Sequence, residues 1–360
     1  MAAVMRDPRP RTARPARFVP ADARPRPPRA LAGRATARAA LRLVALLAAL
    51  PLAAHGADVR IAAGDRVAHA LLADAVARGA FEREGVDVAV VVVDDPVAAV
   101  ADGDAELAAT TADALLDAGR YALELRAALL LGFALDGEAV LGGADVTGLT
   151  ALRGRAVAVE PRSSAELLLG HALQRVGLSL DDVRAVAPDP DPAAVAAALA
   201  DGTLAAAALS GAALARVEAS AAAGGSPVPR RLASAADRPG LVTDVLAGEE
   251  RWLRREKEAT KAVIRAWNRT VGRLRRDPGA AAAALAEATG LDPALAVRAL
   301  AGFRALDVAD NVELTRGEYQ GAFSDMSEVL ERRERVNARG VPSANRYLSL
   351  AALRQVAAGR

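Results

Sequence analysis

Short apolar strands alternate with helices from Asp58 to Ala233, and this alternation constrains the fold more than any other feature of the chain. Asp58–Ala63 (DVRIAA) has the period of a strand and stops at the turn Gly64-Asp65, after which residues 67–79 carry apolar positions at helical spacing. Val86–Val93 (VDVAVVVV) is a nearly unbroken β-branched run, the pattern of a parallel strand covered on both faces. Asp94-Asp95-Pro96 predicts a helix start, with an acid at the cap and proline in the first turn. A weaker strand at Ala105–Ala109, a turn or cap at Thr110-Thr111, a helix at Ala112–Ala118 and a strand at Ala127–Ala134 follow.

A second series begins after Asp145–Leu152, with strands at Arg155–Val159, Val183–Val186 and Leu204–Leu209. Helices at Ser163–Val176, Pro192–Ala200 and Ser210–Ala222 separate them, and Arg230–Ala233 is a candidate further strand. From Gly248 onward the pattern is helical only, over 249–255, 257–276, 279–289, 293–304 and 315–338. This order predicts an α/β fold of open sheets with right-handed crossovers, ending in a helical tail.

At 360 residues the chain is long enough for two domains. It has no cysteine, which excludes disulfides, a thiolate nucleophile and Cys-bound metal. Its net charge of +2 hides an uneven distribution: residues 1–56 hold eleven Arg and two acids, leaving 35 basic against 42 acidic side chains in the remainder. That mildly acidic body argues against a nucleic-acid partner. Residues 1–33 are Pro- and Arg-rich without apolar periodicity, the composition of a disordered extension. Residues 34–56 then run from Arg34, Arg38 and Arg42 through the apolar Leu43–Leu50 to Ala54-His55-Gly56, the three parts of a secretory signal. Cleavage is expected near Gly56, and with it a periplasmic location.

Four segments carry a resemblance to a known family. Arg78–Val88 (RGAFEREGVDV), Val100–Ala108 (VADGDAELA), Leu152–Val159 (LRGRAVAV) and Ala198–Ala206 (ALADGTLAA) resemble, in order and spacing, segments of the periplasmic solute-binding proteins of ABC importers of the nitrate, sulfonate and taurine type. Glu106 and Ala205 stand where that family commonly has acids, Asp in the first case. The resemblance implies a two-lobed clamshell of the type II periplasmic-binding fold. Lobe 1 is expected over 58–143 and 241–360, the latter including the helical tail, and lobe 2 over 144–240, with crossings near Leu141–Asp145 and Arg238–Val242. It further implies capture of a small polar solute between the lobes, a sulfonate, nitrate or related organic anion, and delivery to a membrane permease. A monomer without cofactor, metal or catalytic residues is the corresponding expectation. Two rivals share the scaffold: an enzyme of the thiamine-pyrimidine or menaquinone-precursor type, and a ligand-sensing partner of a membrane signalling protein.

Candidate ligand contacts lie where strands end and helices begin. Ser163 and Ser164 open a helix beside Arg162; the serines either meet the ligand or cap the helix, and Arg162 either clamps an anion or faces solvent. Thr110 and Thr111 follow the third strand, Ser210 follows the strand at 204–209, and Asp65 and Asp136 sit at strand ends. Asp95, Asp113 and Asp244 occupy similar positions. If two or more of these acids face inward, the ligand carries a cation and the anionic reading fails. His69 and His171 have apolar neighbours and no companion ligands at suitable spacing, so packing is expected of them.

Overall fold

The computed structural model describes residues 58–118, 124–225, 228–334 and 344–359. The expected extension and signal segment lie outside the described residues. The remainder forms two sheets wrapped by helices, the α/β fold expected. The first is built from β1 (Val59–Ala63), β2 (Val88–Val92), β3 (Leu107–Thr111), β4 (Leu125–Ala134), β10 (Thr243–Glu249) and β11 (Phe303–Ala305), in spatial order β11-β4-β10-β3-β1-β2. β1 runs parallel to β2 and β3, whereas β10 is antiparallel to both neighbours, β3 and β4. The second sheet is β7-β6-β8-β5-β9, from β5 (Glu138–Gly142), β6 (Ala156–Ala158), β7 (Arg184–Val186), β8 (Ala206–Ser210) and β9 (Arg230–Ser234).

Four helices begin with one device. Asp95, Asp191, Asp277 and Asp292 each accept a backbone N–H at the start of α2 (Pro96–Ala101), α5 (Pro192–Ala200), α9 (Pro278–Thr289) and α10 (Pro293–Ala301), and each is followed by proline. The carboxylate satisfies an orphan donor while proline supplies a preset φ where no N–H is needed. The remaining helices used below are α1 (Val67–Ala77), α3 (Ala112–Asp117), α4 (Ser164–Gln174), α6 (Gly211–Ala223), α8 (Lys257–Arg276), α11 (Val308–Leu314) and α12 (Glu318–Arg332). The helix expected over 315–338 is α12, running from Glu318 to Arg332, and α11 is a separate element before it. Asp307 opens α11 through a capping box with Asp310, and Thr315–Gly317 separates it from α12.

One apolar cluster packs α1 and α8 beneath the first sheet around the fully buried Trp267, whose indole N–H donates to Leu306 O at 2.9 Å. A second continues from the first sheet through α3 and α12 to α4 and the second sheet. At that junction Gly170 of α4 leaves room for Val329 of α12; a Cβ there would lie 2.8 Å from Val329 Cγ1. The tail therefore packs against both sheets.

The chain crosses between the sheets twice, at 135–137 and 235–242. The first crossing precedes the expected Leu141–Asp145, because Glu138–Gly142 forms β5 and pairs with β8 and β9. The expected lobe boundary at 143/144 therefore falls one strand late. The crossing is pinned from both sides: Gly302 O, at the end of α10, accepts from Leu135 N (2.8 Å) and Gly137 N (3.1 Å), and Gly137 O accepts from Gly211 N (2.8 Å). A Cβ on Gly302 would meet Gly137 N at 2.5 Å and Gly137 Cα at 2.8 Å, both backbone atoms. Gly302→Ala is expected to cost about 1–3 kcal/mol by forcing this contact apart, read as a lower urea midpoint. A midpoint equal to the wild type's would show that the crossing is not held there.

Candidate functional site

Arg66 stands at the N-cap of α1, where it caps nothing. Arginine is a poor residue for that place, since the helix start already carries partial positive charge. Its side chain instead turns into the junction of the two sheets. Nε donates to Asp244 Oδ1 (2.5 Å) on β10, Nη1 to Ser164 Oγ (3.0 Å) on α4, and Nη2 pairs with Glu138 Oε1 (2.9 Å) at the start of β5. Ser164 Oγ in turn donates to Glu138 Oε1 (2.8 Å), closing the network. Arg66 and Asp244 belong to the first sheet's elements and Glu138 and Ser164 to the second's, so the guanidinium spans the junction.

Both carboxylates are 1% exposed. Burial pushes the Glu138 carboxyl above its ordinary range, with Arg66 and Ser164 partly opposing, and does the same to Asp244 against Arg66. Burial works against the charge of Arg66 too, yet Asp244 and Glu138 together hold its pKa above the ordinary arginine value. His69, one turn into α1, accepts from Gly64 N at 2.9 Å through Nδ1. Burial, then the charge of Arg66, hold its imidazolium pKa down to about 3, so it stays neutral. It is buried, as its apolar neighbours predict.

A cavity of about 30 Å³ lies at this network, lined by Asp65, Arg66, Glu138, Asp244 and Ser210 together with Gly137, Gly211 and the Gly302-Phe303 corner. That is room for one small group.

The structure brings some of the expected site residues together and not others. Asp65 and Ser210 line the cavity, and Ser164 is in the network. Thr111 lies directly across from Asp244 in the β3–β10 ladder, which puts the two side chains on one face of the sheet. Thr110 faces Val245 in register and shares the opposite face. Ser163 caps α4, accepting from Glu166 N at 3.1 Å while its hydroxyl donates to Glu160 O at 2.6 Å. Arg162, at φ 61°, pairs through its guanidinium with the buried Asp117 at the end of α3, away from the cavity. Asp136 is exposed beside Arg231, 3.6 Å away. Sequence reasoning passed over Arg66 and Glu138. The one signal for Arg66 was an arginine standing where a helix start favours an acid, amide or hydroxyl.

A family model described as NMT1/THI5 like matches residues 66–281, beginning on Arg66 itself. Among solved structures, the periplasmic aliphatic sulphonate binding protein SsuA from Escherichia coli is similar at 17% identity and TM-score 0.62, over 81% of this chain and 91% of that one. The alkanesulfonate-binding protein SsuA from Xanthomonas axonopodis pv. citri, bound to MOPS, matches at 21% identity and TM-score 0.61, over 81% and 98%. The desulfurization enzyme DSZB shares the fold at 15% identity and TM-score 0.58, over 84% of this chain and 100% of that one. A comparison with curated proteins finds no match. The fold is that of the periplasmic binding proteins, and the chain belongs to the NMT1/THI5-like family.

Proposed function

We propose that this protein is the solute-binding component of an ABC importer. It closes on a small polar solute between its two halves, makes and breaks no bonds in it, and presents the closed form to a membrane permease from the periplasm. The observation that carries this reading is the Arg66 network, a polar contact built across a junction that the described residues cross twice. Polar side chains meeting across a hinged junction are what a closing clamshell needs: a solute bridging both halves stabilises the closed state by its differential affinity for it. The sulfonate-binding structures named above support a small organic solute. DSZB shows that the same scaffold hosts chemistry, and the mutual pairing of Arg66, Glu138, Asp244 and Ser164 favours holding over reacting.

The reading is tested by a thermal-shift screen of small sulfonates, nitrate, amines, amino acids and pyrimidines, with small-angle scattering on each hit. A solute present at 100 times its Kd should add about 2.7 kcal/mol of stability and reduce the radius of gyration. Failure of every solute to do either, together with a purified protein carrying no small molecule in native mass spectrometry, overturns it.

A further inference from the structure

We infer that the solute enters this site with a positively charged nitrogen, a primary ammonium group, held by Glu138 and Asp244. The inference rests on the binding reading above and adds the ligand's charge to it. Three carboxylates, Asp65, Glu138 and Asp244, line the cavity against the single guanidinium of Arg66. Three of the five guanidinium N–H donors of Arg66 are already committed: Nε to Asp244, one on Nη1 to Ser164 and one on Nη2 to Glu138. At the start of α4, Ser163 accepts from Glu166 N. Glu138 has a carboxylate oxygen to spare. Its Oε1 is bonded, but Oε2 is buried without a hydrogen-bond partner in a residue that lines the cavity.

A buried, unpartnered carboxylate oxygen is costly, and an N–H donor bearing positive charge satisfies it best. An ammonium between Glu138 and Asp244 also balances charge, giving two cations to the two buried acids. Asp244 and a second strand-end acid, Asp65, thus both belong to the site, the arrangement that the sequence associates with a cationic ligand.

The test is calorimetry and thermal shift on the full chain with ethanolamine, ethylamine and 1,4-diaminobutane, against ethylene glycol, ethanesulfonate and nitrate. At least one amine should raise the melting temperature, ethylene glycol should not, and Glu138→Gln should weaken the amine about tenfold or more. Because Glu138→Gln leaves Arg66 paired one-to-one with Asp244, the variant should stay folded. The comparison of ethanolamine with ethylene glycol on the wild type needs no variant at all. Binding of ethanesulfonate or nitrate without any amine overturns the inference and leaves solute capture standing. Amine binding undiminished by Glu138→Gln overturns the assignment to this site. If nothing in the panel binds and no solute co-purifies, both fall.

Discussion

Replacing Arg66 by alanine should lower stability by about 3–5 kcal/mol at pH 7, because Glu138 and Asp244 would then stay buried without their counter-charge. The loss should depend on pH in a definite direction. Both carboxyls already sit above their ordinary range in the folded protein. A carboxyl raised on folding binds more protons in the native state than in the unfolded chain. Its stabilising share is therefore full below the unfolded pKa and is lost as pH rises through the folded value. Without Arg66 both should rise further, so the deficit of the variant should shrink between pH 7 and pH 5. Urea unfolding at the two pH values reads this out. A variant as stable as the wild type at pH 7, or a deficit that widens on acidification, would falsify the account of the network. Arg66→Lys should fall between, since an ammonium restores the charge but not the fork that reaches three partners.

Asn311→Leu should be nearly as damaging, at about 2–5 kcal/mol, although Asn311 sits far in sequence from the strand it serves. β4 slips register twice against β10, opposite Asp244/Val245 and Leu246/Ala247. Between the slips, the Asn311 side chain takes the place of a ladder partner for Leu130: its Oδ1 accepts from Leu130 N (2.8 Å) and its Nδ2 donates to Leu130 O (2.9 Å). A second bond from Nδ2 to Asp307 O (2.9 Å) holds it, and the residue is fully buried. Leucine has a similar volume but abandons two backbone groups at once, each costing about 1–3 kcal/mol. The expected drop in melting temperature is on the order of 5–10 °C. Asn311→Asp keeps the acceptor and loses the donors, so it should recover part of its stability in acid, where the carboxyl can donate once. Equal melting temperatures for Asn311→Leu and the wild type would refute the ladder role.

Much of the architecture was legible because it is local. The β-branched run at Val86–Val93 and the Asp-Pro helix starts report on neighbours within a few residues, as does the change to helices after Gly248, except that the helix expected over 293–304 stops at Ala301 and Phe303–Ala305 forms β11 beside β4. β5 was overlooked: Glu138–Gly142 follows β4 after three residues, with no helix to announce a new strand. Part of the candidate site was legible by position, since Asp65, Ser164 and Ser210 lie at element ends. The rest was not. Arg66 meets Asp244 across 178 residues of chain, and nothing near Arg66 indicates that partner. Arg162 and Asp136, plausible by the same positional rule, pair with Asp117 and Arg231 instead.

The place of β10 has a consequence for the order in which the molecule can be completed. All five strands of the second sheet lie within residues 138–234, an uninterrupted stretch, whereas the first sheet waits for residues 243–249 to fill the gap between β3 and β4. Emerging from a ribosome or a translocation pore N-terminus first, the later-encoded half has all its strands before the earlier one does. Until then β3 and β4 are two bare edges, open to pairing with any other extended chain. This interval is the stretch of the protein's life in which a holding chaperone would matter most.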